Sequence, residues 1–454
     1  MIVSPAFAGK KYAVLGLARS GRTAAESLLA SGAEVVVWDK LDAARARFAG
    51  RAEIADPLEI DLRGFDGLVV SPGVPLNTHP IAERARTFGV PVISDIELFA
   101  QARPTLPPHK VVGITGTNGK STTTALVHHL LQGAGVPARM GGNIGLPILG
   151  EEPLPDGGVY VLELSSYQID ITRSLSCDGA ALTNVTPDHL DRYDGFAAYA
   201  ASKARLFAMQ SPEQFAVFGC DDEPTRAVQL AEAARRGPGR AVCADLAALA
   251  QLQREWPSLQ GPHNLQNAAI AVALIEELGV SRAQCEAGLA SFGGLPHRME
   301  VLGTFGGVLY VNDSKATNPA STAPALGAWP PAPDRRVHWI CGGLPKGDDL
   351  DECVPYFGNI AAAYTIGEAG PLFATLLEPY MHVERCEMLC EAATRAHAAA
   401  RPGDVVLFSP ACASFDQFRD YESRGDSFRE IVAALTAGGE VEDCVPAPVG
   451  GEAP

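Results

Sequence analysis

Three successive α/β domains, each built round a mostly parallel sheet, are what these 454 residues predict. Three stretches carry the prediction. "KYAVLGLARSGRTAAESLLASGAEVVVWDK" runs from an apolar segment through a glycine turn and a helical segment to a second apolar run ending at Asp39, a βαβ unit. "KVVGITGTNGKSTTTALVHHLL" joins a buried strand to a helix through a glycine-rich loop. The last third alternates short apolar runs with Ala-rich helical stretches.

The first segment, residues 1–106, adds short strands in "GLVVSPGVP" and "VPVISDIELF" and closes at "QARPTLPPHK", whose prolines read as a linker. The second, residues 107–301, opens on the glycine loop and continues through "VYVLELSS" and "GAALTNVTPDHLDRY", apolar strands whose following loops carry polar residues. In open α/β sheets ligands sit at that carboxyl edge. The third, residues 302–454, has strands in "GVLYVNDSKATNP", "RRVHWICGG", "AAAYTIG" and "DVVLFSPACAS", and ends in "DCVPAPVGGEAP", which reads as a frayed tail.

Composition excludes several function classes. A hydrophobic fraction of 47% supplies packed cores, and a formal net charge of −17 argues against nucleic-acid binding, which needs basic stripes. The ten cysteines are irregularly spaced with no C-x-x-C pair, which predicts scattered reduced thiols and no disulfide framework or zinc site. With no apolar run of membrane-spanning length and no signal-peptide layout, the sequence predicts a soluble cytoplasmic protein with no membrane partner.

The glycine loop does not fit G-x-x-x-x-G-K-[ST], because Ile114 stands where the first glycine belongs. Its glycines recur every third residue, at Gly113, Gly116 and Gly119. The backbone of Gly116, Thr117, Asn118 and Gly119 at a helix N-terminus still makes a phosphate cradle. Lys120 would reach the β/γ-phosphates of ATP, and Ser121 or Thr122 would ligate Mg²⁺. Glu163, at a neighbouring strand end, is a candidate metal ligand, and His189 and Asp191 occupy a similar loop. Helical spacing puts Lys203 on one stripe with Phe196, Tyr199, Ala200 and Phe207. Two readings of that lysine stand open. Its ammonium snorkels to water, or burial lowers its pKa until the neutral amine takes up CO₂ as a carbamate that a Mg²⁺ site can use.

In order along the chain, "GITGTNGKSTT", "GGNIG", "ELSSYQ", "NVTPDHLDRY", "HNLQNAAIA", "LPHRME" and "NDSKATNP" resemble the Mur ligase family, the ATP-dependent amide-bond-forming enzymes of peptidoglycan synthesis. "VVSPGVP", "ELSSYQ" and "LFSPACASFDQFRDYESRG" resemble its D-glutamate-adding branch, and the D-N-P-R stretch expected of the diaminopimelate-adding branch is absent. The resemblance implies a Rossmann-like N-terminal domain for a UDP-sugar, a P-loop ATPase-like centre, and a Rossmann-like C-terminal domain that closes on ATP and takes the acceptor. It implies as substrates UDP-N-acetylmuramoyl-L-alanine, D-glutamate and ATP, and as cofactors two Mg²⁺ ions and a carbamate on Lys203. The expected state is a monomer.

By the same resemblance Lys120, Glu163, His189, Lys203 and Lys315 serve catalysis, and Ser121, Glu163, His189 and Lys203 hold or orient the metals. Asn264, Asn267, Arg298 and Asp313 join the loop around ATP. Gly16, Ser20 and Gly21 of "GLARSG" would cradle the UDP pyrophosphate, with Asp39 and Ser71 near the uridine and Asn143 and His189 on the same substrate. Thr317, Lys346 and Ser414 would grip D-glutamate beside Phe415 and Tyr421. The chain departs from the pattern where Leu41 replaces a basic residue and where Leu344-Pro345 precedes Lys346. "GLARSG" also lacks the middle glycine of a dinucleotide fingerprint, having Ala18 there, so a nicotinamide enzyme is a weaker reading. A non-catalytic nucleotide-sugar sensor is the other alternative, and it has no need of a phosphoryl-transfer lysine.

Overall fold

A computed structural model describes residues 1–188 and 192–439. Among these residues three sheets are present. The first orders its strands β3-β2-β1-β4-β5, all parallel, from β1 (Lys11–Leu15), β2 (Glu34–Trp38), β3 (Glu53–Ile54), β4 (Gly67–Val70) and β5 (Val92–Ile93). The second is also wholly parallel, in the order β11-β10-β9-β6-β8-β7. Its strands are β6 (His109–Thr115), β7 (Ala138–Gly142), β8 (Gly158–Glu163), β9 (Gly179–Leu182), β10 (Phe215–Phe218) and β11 (Ala241–Cys243).

The third sheet runs β12-β13-β17-β14-β15-β16, from β12 (Glu300–Phe305), β13 (Val308–Asn312), β14 (Val337–Gly342), β15 (Ile360–Ile366), β16 (His382–Glu387) and β17 (Val405–Phe408). Only the edge pair β12–β13 is antiparallel. Because β12 begins at Glu300, the boundary expected after residue 301 falls inside this strand.

The near-continuous apolar runs have a plain cause: β4, β8, β9, β10, β14 and β17 are buried along their whole length. Parallel strands covered by helices on both faces have no solvent side to reserve for polar residues. The chain divides into two compact units, Met1–Leu249 with Gln266–Leu289, and Ala250–Leu265 with the chain from Ala290 onward. The first unit contains two of the sheets and the second unit the third.

Three local outcomes differ from the sequence reading. The segment "VISDIELF" gives a strand of only two residues, and the helix Asp95–Ala102 takes the rest. Ser94 caps that helix by accepting from the Glu97 N–H, and Asp95 and Glu97 lie in its first turn, where carboxylates favour helix over strand. The proline-rich linker is fastened down, since Arg103 hydrogen-bonds the Ser176 carbonyl and donates to His109 Nε2 at 3.1 Å. The expectation of reduced thiols throughout is corrected at Cys220 and Cys243, which form a disulfide with Cα atoms 5.6 Å apart. Adjacent parallel strands cause it: Cys243 ends β11 in register with Phe218 of β10, two residues before Cys220. Among the described residues six cysteines are free and buried. The tail read as frayed lies outside the described residues.

Candidate active site

In the first unit the chain reverses its winding beside β1 in one sheet and beside β6 in the other, the two places where such sheets bind ligands. The glycine turn after β1 is tight. A methyl group on Gly21 would sit 1.8 Å from the Gly16 carbonyl oxygen, so no larger residue lets the helix Arg19–Ala30 approach so closely. Ser71, following β4, donates to that same carbonyl at 2.8 Å. Asp39, following β2, accepts the N–H of Leu17 at 2.5 Å and of Leu41 at 2.9 Å. Both side chains therefore shape the turn. Leu41, where a basic residue was expected, is exposed, while Arg45 lies over the Trp38 ring and donates to the Asp39 carbonyl.

The loop after β6 is held from β9. Asn184, just past β9, accepts the Asn118 N–H through Oδ1 at 2.9 Å and donates to the Asn118 carbonyl at 3.1 Å. Thr183 donates to the same carbonyl at 2.6 Å. Gly116, at φ 148°, has no room for a side chain, since a Cβ would lie 1.9 Å from Thr183 Oγ1. Gly119 caps the helix Lys120–Gly133 with no side-chain hydrogen bond, which leaves the first-turn N–H groups to an anion. Lys120 folds back over the loop and donates to the carbonyls of Gly116 and Thr117 at 2.9 and 2.7 Å. Asn267 accepts from Thr123 at 3.2 Å behind Gly119.

Glu163 ends β8 and is buried. Its Oε1 accepts from Asn143 Nδ2 at 3.0 Å, and its Oε2 is buried without a partner. An orphaned carboxylate oxygen deep in a protein is costly unless a cation or donor completes it. Hard oxygen donors, here Glu163 and the buried hydroxyl of Ser121, suit Mg²⁺. Among the described residues no cluster of three or more His, Cys, Asp or Glu forms a metal cage. Mg²⁺ needs none, because it binds through one or two carboxylates plus substrate phosphates. His189 lies outside the described residues, as does Asp191.

Burial excludes one of the two readings of Lys203, the one in which its ammonium snorkels to water. Lys203 sits on the helix Gly195–Ala208 at 2% exposure, so its ammonium does not reach water. Nζ donates to the Gly116 carbonyl at 2.7 Å and lies 4.5 Å from the centre of the Tyr199 ring. Burial first, and Lys120 second, push its pKa down to about 7. That shift favours the free amine over the ammonium. Tyr199, whose hydroxyl meets Thr117 Oγ1 at 3.1 Å, joins lysine to loop.

The second unit gathers a separate set of groups at the carboxyl edge of its sheet. The turn carrying Arg298 places His297 and Met299 at φ 60° and 47°, and Asp313 Oδ1 accepts the Met299 N–H at 3.0 Å. The Lys315 N–H donates to the His297 carbonyl at 2.9 Å. Asp313 accepts also from Ser409 Oγ at 2.7 Å, and burial raises its pKa to about 7. Arg298 Nε is buried and unpartnered. Asn264, likewise buried, donates to the Gln260 carbonyl at 3.1 Å.

Lys315 Nζ lies 5.2 Å from the centre of the Tyr421 ring. Lys346 donates to Thr317 Oγ1 at 3.2 Å. Beside the unusual Leu344-Pro345, Leu344 and Ala413 exchange two backbone hydrogen bonds of 2.9 Å and so hold the Lys346 loop against Ser414. Ser414 is buried and Phe415 is 49% exposed.

Sequence reasoning passed over two supports. Asn184 stood inside a quoted motif, "NVTPDH", with nothing to single out an asparagine. Arg424, 1% exposed, donates to the carbonyls of Cys412, Ala413 and Ser314 at 3.0, 3.0 and 2.8 Å, tying the Ser414 loop to Lys315's neighbour.

A strand–glycine loop–helix cradle with an acidic strand end and a buried lysine beside it defines an enzyme of nucleotide phosphates. Residues 114–241 match the Mur ligase middle domain and residues 297–412 the Mur ligase glutamate ligase domain. The chain belongs to the Mur ligase family. It is 68% identical over 435 residues to the UDP-N-acetylmuramoylalanine–D-glutamate ligase of Novosphingobium aromaticivorans, covering 96% of this chain and 97% of that one. The proteins of the same name from Sphingopyxis alaskensis and Zymomonas mobilis are 59% and 52% identical, each alignment covering 96% of this chain and 100% of the relative. Among solved structures, MurF from Acinetobacter baumannii superposes with a TM-score of 0.56 at 17% identity, covering 96% of this chain and 93% of that one. The MurC of Thermotoga maritima gives 0.55 at 17%, covering 94% and 99%. These two show that the fold is shared.

Proposed function

We propose that this chain is the ATP-dependent ligase that joins D-glutamate to UDP-N-acetylmuramoyl-L-alanine in peptidoglycan precursor synthesis. The observation that carries the reading is the identity of 52–68%, along nearly the whole chain, to three relatives bearing that activity in their names. In this reading residues 1–106 bind the UDP-sugar, 107–301 bind ATP, and 302–454 bind D-glutamate and close on ATP. The enzyme acts as a cytoplasmic monomer. No helix among the described residues is long and apolar enough to cross a membrane.

The chemistry follows from charge. A carboxylate is a poor electrophile, so the terminal carboxylate of the muramoyl-alanine attacks the γ-phosphorus of ATP, and ADP leaves. The acyl phosphate so formed takes the D-glutamate amine at its carbonyl carbon. The amine's proton is lost, the amide bond forms, and inorganic phosphate departs. Both steps crowd negative charge, which the chain answers with backbone N–H groups of the Gly116–Gly119 loop and with Lys120 and Lys315. Mg²⁺, when bound, supplies further charge neutralisation, and Ser121, Glu163, His189 and a carbamate on Lys203 are the groups we assign to two such ions.

Arg298, Asp313, Asn264 and Asn267 are assigned to the adenine nucleotide, and Asn143 to the UDP substrate with Gly16, Ser20, Gly21, Asp39 and Ser71. Thr317, Lys346 and Ser414 are assigned to D-glutamate, with Phe415 and Tyr421 packing beside it. The contact of Lys346 with Thr317, and the bridge that brings Ser414 to their loop, support that last assignment.

Phosphate release measured against a panel of acceptors tests the reading. It should require ATP, UDP-N-acetylmuramoyl-L-alanine and D-glutamate together. Equal release with L-lysine or diaminopimelate would move the chain to another acceptor class. Tight binding of ATP and UDP-sugar with no turnover would favour a sensor.

A further inference from the structure

Six buried side-chain polar atoms among the described residues of the first unit lack partners, and three of them belong to just two residues, Asp95 and Gln168. Asp95 is 2% exposed and neither of its carboxylate oxygens is hydrogen-bonded. Gln168 is 1% exposed; its Oε1 accepts from Ser165 N–H and Oγ at 3.1 and 3.0 Å, while its Nε2 has no acceptor. The two residues are neighbours. Burial raises the Asp95 carboxyl to a pKa of about 6, and the Gln168 amide and the Ser20 hydroxyl lie near enough to draw it part of the way back down.

The chain fixes all three groups firmly. Asp95 opens the helix Asp95–Ala102, which is pinned two residues later by Glu97. Glu97 Oε2 accepts the N–H groups of Arg173 and Ser174 at 2.7 and 2.9 Å, and its Oε1 accepts Ser174 Oγ at 2.7 Å. Ser94 meets Thr172 at 2.8 Å. Ser20 lies in the first turn of the helix Arg19–Ala30, directly behind the Gly16–Gly21 turn. Gln168 completes a capping box with Ser165, two residues beyond Glu163. Thus Asp95 stands where the pyrophosphate turn of the first sheet meets the Glu163 strand end of the second.

Buried polar groups left without partners are destabilising, whereas apolar groups of the same shape in their place can be neutral or stabilising. A carboxyl and an amide left unsatisfied side by side, between two assigned substrate elements, need a reason other than packing. We infer that Asp95 is a positioning residue for the nucleotide-sugar: with that substrate at the Gly16 turn, its unpartnered carboxyl takes the Ser20 hydroxyl and the Gln168 amide as partners and sets the binding elements of the two sheets in register. The inference rests on the proposed reading that the UDP-sugar binds at the Gly16 turn.

Steady-state kinetics of the full chain test it, with KM measured separately for UDP-N-acetylmuramoyl-L-alanine, ATP and D-glutamate. Asp95→Ala should raise the UDP-sugar KM at least tenfold and leave the other two within twofold. Asp95→Asn, which keeps shape and polarity, should return the UDP-sugar KM to within threefold of wild type. Asp95→Leu fills the space without polar atoms. It should melt no lower than wild type yet share the KM defect, which separates positioning from folding. Wild-type KM in a folded Asp95→Leu, or equal rises in all three KM values, overturns the inference. A wild-type chain that joins D-glutamate to another carboxylate but not to the UDP-sugar defeats the parent reading first, and the inference falls with it.

Discussion

Lys203 offers the sharpest quantitative test. Its pKa near 7, against 10.5 for an ordinary lysine, sets the fraction present as the nucleophilic neutral amine. At pH 6, 7 and 8 that fraction is about 9, 50 and 91%, whereas an unshifted lysine at pH 7 is roughly 0.03% neutral. Carbamate forms when the neutral amine attacks CO₂, so its rate of formation follows this fraction. Enzyme stripped of CO₂ at low pH and then given a fixed dissolved CO₂ concentration should recover activity about tenfold faster at pH 8 than at pH 6, and level off above pH 8. A lysine of ordinary pKa would instead show about a hundredfold rise with no plateau. Either that steeper profile, or recovery indifferent to CO₂, refutes the reasoning. Lys203→Arg keeps a cation that cannot be deprotonated, and should lose at least ~100-fold in kcat with no response to CO₂.

Gly116→Ala puts a methyl group 1.9 Å from Thr183 Oγ1 at a left-handed φ, so the bonds from Thr183 to the loop must break. Strain and lost hydrogen bonds together come to about 3 kcal/mol, and titration should show ATP affinity down roughly 100-fold. Glu163→Gln keeps the shape but not the charge of the orphaned Oε2, and activity plotted against Mg²⁺ should shift to at least ~10-fold higher concentrations. Lys346→Ala should raise the D-glutamate KM by about tenfold or more and leave the ATP KM unchanged, because Lys346 meets Thr317, the pair that the proposed function assigns to the acceptor.

Asp313 gives a stability prediction. Its folded pKa, about 7, lies above the unfolded value of 3.8, so the folded chain holds the extra proton between them and loses stability as pH rises across that window. Asp313→Asn should flatten the fall in melting temperature between pH 4 and 7, and an unchanged slope would place the titration elsewhere.

The sheets and the cradle were legible because each is local. Buried parallel strands write continuous apolar runs, and a strand, three glycines and Lys120-Ser121 fall within a dozen residues. Lys203 was legible as an anomaly, a charge on an apolar stripe, but only the packing of Tyr199 and the Gly116 carbonyl shows that it is buried. What could not be read depends on distant pairs. Asn184 acts on a loop 66 residues away and Arg424 on a serine 110 residues away, and no local pattern encodes such partners. The Cys220–Cys243 pair depended on which strands lie side by side. The edge strand β12 was missed because its half-buried to exposed, part-polar residues carry no apolar run.

The backbone bridge between Leu344 and Ala413 frees two positions from chemical duty. Main-chain atoms carry the alignment, and Leu344 contributes them whatever its side chain. An acidic residue, a leucine or an alanine at 344 should leave the lysine two residues on in the same place. Loops of this build can therefore change their side chains ahead of the lysine without moving its amine.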